Sequence, residues 1–179
     1  MNKNQETFNT KEQKVSEKQI KNYVIERFED AKSSNKIKNL VSFQAMNKYV
    51  IMAHDQTELK ILGNIIASYK KIQFSEILTG YEKHLRKSFE KEPTTKTHSN
   101  VIMHIFGYFS KEFTQLEKEQ FFKSLKQFQE GKITIGNMLA EINPMIFRFN
   151  NTYLASQTYF LPYSELHQVN LFDVLMKKY

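Results

Sequence analysis

Five glycines and three prolines are all that punctuate these 179 residues, and that scarcity is the tightest constraint on the fold. A β-sandwich or barrel needs turn residues at roughly every 8–12 positions. This chain supplies them only at wide intervals, which favours long helices joined by short connections.

Apolar residues recur at helical spacing. Val15, Ile20, Tyr23, Val24 and Phe28 mark a first helix over about Lys14–Ala31, closed by Ser33-Ser34-Asn35. A second spans about Lys36–His54, where Phe43, Asn47, Val50 and His54 fall on one stripe. Thr57 opens a third helix, and Ile77, Leu78, Tyr81, Leu85 and Phe89 line a fourth. Glu92-Pro93 ends that run, since proline disfavours helix in the residue before it. A fifth helix is expected from about Thr97 to Phe113, and a sixth from Leu116 to Glu130 with Gly131 as a left-handed stop. Ile133–Asn150 forms a seventh that Pro144 should kink or break. From Tyr153 onward a short helix reaches towards Leu175, and residues 1–11, nearly free of large apolar side chains, read as a loose tail. No run alternates with period two. The expectation is an all-α, single-domain bundle of about six to eight helices over residues 12–179.

Composition narrows the chemistry. Hydrophobic residues at 40%, with 13% aromatics, can build a real core. The absence of Cys excludes disulfides, iron–sulfur ligation, thiol nucleophiles and cysteine zinc sites. There is no Gly-x-Ser-x-Gly, phosphate-binding Gly-rich loop or dinucleotide fingerprint. The five histidines include no pair at helical ligand spacing, so neither metal nor cofactor is expected. The first twenty residues are polar throughout, and the longest apolar stretches, 49–53 and 101–109, fall far short of the roughly 20 residues a bilayer span needs. A soluble cytoplasmic protein without a membrane contact is expected. The net charge of +7 points to an acidic partner.

The fifth helix carries the most information. At about 100° per residue, Ile102, Ile105, Phe106, Phe109 and Phe113 gather on one side. Asn100, His104, Gly107 and Lys111 gather on the other within roughly 60°, with Tyr108 flanking them. That polar stripe is either a solvated face or a binding surface which the glycine lets a ligand approach. Just before it, Lys96, Thr97 and His98 stand where a helix N-terminus can hold a phosphate. Alternatively, Thr95 or Thr97 simply caps the helix. His54, on an apolar stripe, reads as a buried hydrogen-bonded histidine rather than a ligand, and Glu117/Glu119 and Glu90/Glu92 read as solvated faces.

Three stretches together resemble a known family: Lys48-Tyr-Val-Ile-Met-Ala-His54, the run from Thr94 to Phe109, and the run from Tyr153 to Leu166. They look like the YbgA-like domain family, of unknown function, found alone or fused behind a thiouracil-desulfurase-like domain. The resemblance implies a helical domain that holds tRNA or another structured RNA, linked to thiolated-nucleotide metabolism, without a desulfurase centre of its own. Carried over by motif, the site residues are Lys48, His54, Lys96, His98, Asn100, His104, Gly107, Tyr108, Lys111, Gln157 and Tyr159. Two other readings stay open. One is a small cysteine-free enzyme with His54, His98 or His104 as general base and Lys48 or Lys96 as anion clamp. The other is an interaction module that docks on a desulfurase-like or repair enzyme.

Overall fold

The computed structural model describes residues 15–163, so the loose tail expected over 1–11 and the helix expected towards Leu175 lie outside the described residues. Nine helices follow one another among the described residues: α1 (Glu17–Ser33), α2 (Ile37–His54), α3 (Gln56–Ala67), α4 (Phe74–Ser88), α5 (Thr95–Phe106), α6 (Gln115–Gln129), α7 (Ile135–Arg148) and two single turns, α8 (Thr152–Ala155) and α9 (Phe160–Tyr163). No strand occurs among the described residues, and none of these helices is long and apolar enough to cross a membrane. The fold is all-α, as the glycine scarcity and the helical periodicity require.

Local chemistry sets the helix ends. Ser16, Thr94, Thr114 and Thr134 each accept the N–H three residues on, while Gln19, Thr97, Glu117 and Asn137 return a bond to the cap backbone. These are reciprocal capping boxes, which satisfy two orphan donors at once. Asp55 caps α3 through the N–H groups of Thr57 and Glu58. At the far end of α6, Gly131 sits at φ +70°. There the Lys132 N–H reaches the Gln127 carbonyl and the Gly131 N–H reaches Phe128. The same left-handed closure, which needs little or no side chain at its apex, ends α7 at Asn150, φ 47°.

The bundle is organised around α2. From Tyr49 to Asp55 every residue of its last two turns is buried, whichever way the side chain points. A helix apolar on all sides must be surrounded, and α1, α3, α4 and α5 all pack against it. Phe28, Phe43 and Tyr81 lock α1, α2 and α4 together: Phe28 stacks on Tyr81 at 5.6 Å, and Phe43 meets both edge-on at 5.8 and 6.1 Å. Buried Glu58 of α3 binds His84 (2.6 Å) and Lys87 (2.7 Å) of α4, and Lys91 pairs with Asp55.

One expectation is corrected and another narrowed. The fifth helix ends at Phe106, not near Phe113. The chain then turns through residues 107–112, which lets Phe109 stack on both Phe113 (6.2 Å) and Phe149 (5.4 Å) and so seals α5 against α7. A straight helix would carry Phe113 past that cluster. Pro144 does not break α7, which runs through it. The bond its missing N–H would have made belongs to the Ala140 carbonyl, and both residues are exposed, so water can serve that oxygen.

Gly131→Ala should cost about 1–2 kcal/mol, because a Cβ is strained at this φ. Asn150→Gly should be neutral or slightly stabilising, and paired urea denaturation curves read both.

Candidate functional site

The three motif stretches meet in space, but the side chains divide between an inner and an outer group. The inner group is a buried polar chain that joins α1, α2, α5 and α9. The His54 Nδ1 lies 2.8 Å from the Val50 carbonyl, and its Nε2 lies 3.1 Å from Glu17, so both ring nitrogens face oxygen acceptors. Tyr163 donates its hydroxyl to the same Glu17 carboxylate at 3.1 Å. Beside it, the His98 Nδ1 lies 2.7 Å from the Tyr159 hydroxyl, and the His98 ring meets Tyr163 edge-on at 4.8 Å. Partial burial alone would push the Glu17 carboxyl up. The bonds from His54 and Tyr163 and the charges of His54 and His98 outweigh it, and the net shift is downward. Burial, reinforced by the Glu17 charge, pushes the Tyr159 and Tyr163 hydroxyls up.

His54 is therefore the hydrogen-bonded core histidine that its stripe suggested. His98 is placed differently from the phosphate-binding expectation: it turns inward to Tyr159, away from the open end of α5. Thr97 is likewise committed to its capping box. These groups fit a structural network better than a general base, since neither histidine lines the cleft beside Lys96.

That cleft forms the first part of the outer group. It measures about 530 Å³ and is lined by Thr95, Lys96, Ser99, Asn100, Met103 and Gln129. The capping box uses the Thr97 N–H, leaving those of Thr95 and Lys96 as the orphan donors of the first turn. Ser99 is only 6% exposed, yet its hydroxyl has no hydrogen-bond partner among the described residues. Asn100 donates to Gln56 at 3.0 Å, which ties the cleft to the start of α3. His104 lies further along α5 and is exposed. Gly107 is a right-handed C-cap (φ −55°) rather than the middle of a stripe. A Cβ there would meet only the carbonyls of its own turn, at 3.3 Å from His104 and 3.8 Å from Met103. Lys111 is exposed in the turns beyond the helix, so the four-residue stripe is cut after Gly107.

The second part lies at the opposite end of α5. Tyr108, 45% exposed, stacks on Tyr153 at 5.7 Å with 26° between the rings. The Tyr49 hydroxyl lies beneath them, and the Lys48 ammonium sits 5.4 Å from the Tyr49 ring centre. Burial first, then the neighbouring Tyr108 and Tyr153 hydroxyls, push the Tyr49 hydroxyl up. Tyr49 nevertheless makes no hydrogen bond of normal geometry. Gln157 donates to the Ala45 carbonyl at 2.8 Å, and its Oε1 is buried and unpartnered among the described residues.

Sequence reasoning missed Glu17, Ser99, Tyr49, Tyr153 and Tyr163. Ser99, Tyr49, Tyr153 and Tyr163 all lie inside the three motif stretches, so reading whole stretches rather than their cationic residues would have found them. Glu17 carried no signal, because only the tertiary fold brings α1 to His54.

The carboxyls of Glu17, Asp55 and Glu58 are all held below their ordinary values: in each, hydrogen bonds and neighbouring cations outweigh burial, which alone would raise them. A depressed folded pKa stabilises above the unfolded value and loses that stability as pH falls through the folded one. Stability should therefore hold down to about pH 4.5, the unperturbed glutamate value, and drop below it. Glu17→Gln should destabilise at neutral pH, and its gap from the wild type should close as the pH falls, in melting curves taken from pH 7 to 3. A gap that stays constant would mean that the Glu17 charge plays no part.

The chain is 24% identical over 122 residues to the uncharacterized protein YbgA of Escherichia coli (strain K12), covering 68% of this chain and 72% of that protein. No solved structure matches it. The family described as "Protein of unknown function (DUF1722)" matches residues 48–164, from Lys48 at the start of the first motif to just past Tyr163 of the third. The chain belongs to this YbgA-like family.

Proposed function

We propose that this domain binds structured RNA, of the tRNA class, and holds it chiefly by its phosphates, as an accessory to chemistry on thiolated nucleotides carried out by a separate desulfurase-like protein. The observation that carries the reading is the cleft over the α5 N-terminus. There Lys96 and two orphan backbone donors open on one cleft, and the unpartnered Ser99 hydroxyl lies buried in its wall. A buried polar group without a bond costs about 1–3 kcal/mol. That cost falls on Ser99 as the fold stands, and a phosphate oxygen is an acceptor that suits Lys96 and both backbone donors.

The net charge of +7 supports the same reading, since it raises the local concentration of a polyanion before any specific contact forms. Charge is delivered as lysine ammonium rather than arginine fork, which suits phosphates read as point charges and not bases read bidentately. The buried state of His54 and His98 weighs against either as a general base, because such a base must reach its substrate, and leaves exposed His104 as the histidine for the enzyme alternative.

Purified protein should bind tRNA with an affinity that falls steeply with salt, each neutralised phosphate adding roughly 0.7–0.9 to the log–log slope. Lys96→Glu should weaken binding several-fold more than Lys70→Glu, in the turn beyond the far end of α3. Equal losses for the two variants, or salt-independent affinity, would refute the cleft. Filter binding between 50 and 300 mM salt checks this.

A further inference from the structure

The tyrosine cluster at the other end of α5 is not explained by phosphate contact. We infer that Tyr49, Tyr108, Tyr153 and Gln157 form an acceptor for one unpaired nucleobase, held between the Tyr108 and Tyr153 rings with its edge on Tyr49 and Gln157. This rests on the RNA reading and names which part of the RNA this second site takes.

Three observations converge on it. First, Tyr49 and Gln157 are each 1% exposed, and each carries one polar atom without a partner among the described residues. One is a hydroxyl that donates, and the other is a carbonyl oxygen that can only accept. Gln157 lies against Tyr153, and the Tyr108 and Tyr153 hydroxyls approach that of Tyr49. A base edge offers the complement, an acceptor next to a donor. Second, Tyr108 and Tyr153 beside them form a stacked aromatic pair, and aromatic faces accept any base because every base has a π-face. Third, Tyr108 is the exposed member, and it follows directly on the Gly107 C-cap at the start of the turns over residues 107–112. It can swing out about its own side-chain torsions without disturbing α5.

The geometry also fits a single chain of nucleotides. Ser99 and Tyr108 lie nine residues apart along α5 and the turn after it, about 14 Å by helix rise, so one strand can reach both the phosphate cleft and the aromatic pair. Lys48, near the Tyr49 ring, lies on the cluster side and offers a further cation there.

The cluster has a feature that separates binding from structure. Removing a buried hydroxyl with no partner relieves a desolvation cost instead of breaking a bond. Tyr49→Phe should therefore leave the melting temperature unchanged or raise it, while it weakens base binding. A merely structural tyrosine would behave the other way.

The test uses fluorescence anisotropy with two probes: an eight-nucleotide oligouridine, and the same strand with abasic sites in place of every base. A third arm uses folded tRNA. Wild-type protein should bind oligouridine more tightly than the abasic strand. Tyr108→Ala and Tyr153→Ala should each lower oligouridine affinity about five- to hundredfold, the range for losing one base stack. Tyr49→Phe should lower it severalfold with no loss of melting temperature. Equal binding of base-bearing and abasic strands, with the tyrosine variants unchanged, would overturn the base acceptor; tRNA binding that still depends on Lys96 would then leave the phosphate reading intact. Tyrosine-dependent oligouridine binding without tRNA binding would support the acceptor and sink the tRNA reading. No binding of any probe would overturn both.

Discussion

The burial of α2 on every side is the constraint on which the other helices depend. Seven consecutive residues from Tyr49 to Asp55 are withdrawn from water, among them a histidine and an aspartate that need partners. The surrounding helices supply both the apolar walls and those partners: α1 brings Glu17 to His54, and Lys91, beyond the end of α4, reaches Asp55. Asp55 at once caps α3, so the sharp turn between α2 and α3 and the ion pair that neutralises it are one feature. Stability and polarity are thus settled at the same place.

The all-α class and most helix positions were legible because they follow from local chemistry. Glycine scarcity, helical periodicity and the Gly131 stop are properties of a few neighbouring residues, and α2 begins and ends within one residue of the sequence reading. The fifth helix was overextended because Phe109 and Phe113 keep helical spacing even where the backbone leaves the helix. What pulls them out is Phe149, some forty residues away, which no local window contains. Pro144 shows the reverse: a local breaker overridden by its position on an exposed face.

The candidate site divides along the same line. Lys96 and Asn100 could be read from their place near a helix start. That His98 turns inward depends on Tyr159, sixty-one residues on, so its role could not be seen from spacing. The aromatic pair of Tyr108 and Tyr153 was hidden for the same reason, with one partner in each of two motifs. Charged residues draw the eye in a basic chain, whereas the unpartnered atoms on which the proposed sites rest belong to neutral side chains: Ser99, Tyr49 and Gln157.

The clasp between α1 and α9 has a consequence for how the chain is made. Tyr163 and Glu17 are 146 residues apart, and they share one carboxylate with His54. During synthesis α1 and α2 emerge first, yet the polar seam that holds them cannot close until nearly the whole domain has left the ribosome. Until then Glu17 and His54 must wait, hydrated or paired with each other alone. The contact of α1 with α9 therefore closes only once residue 163 has been made, after the α1–α2 pairing is already available.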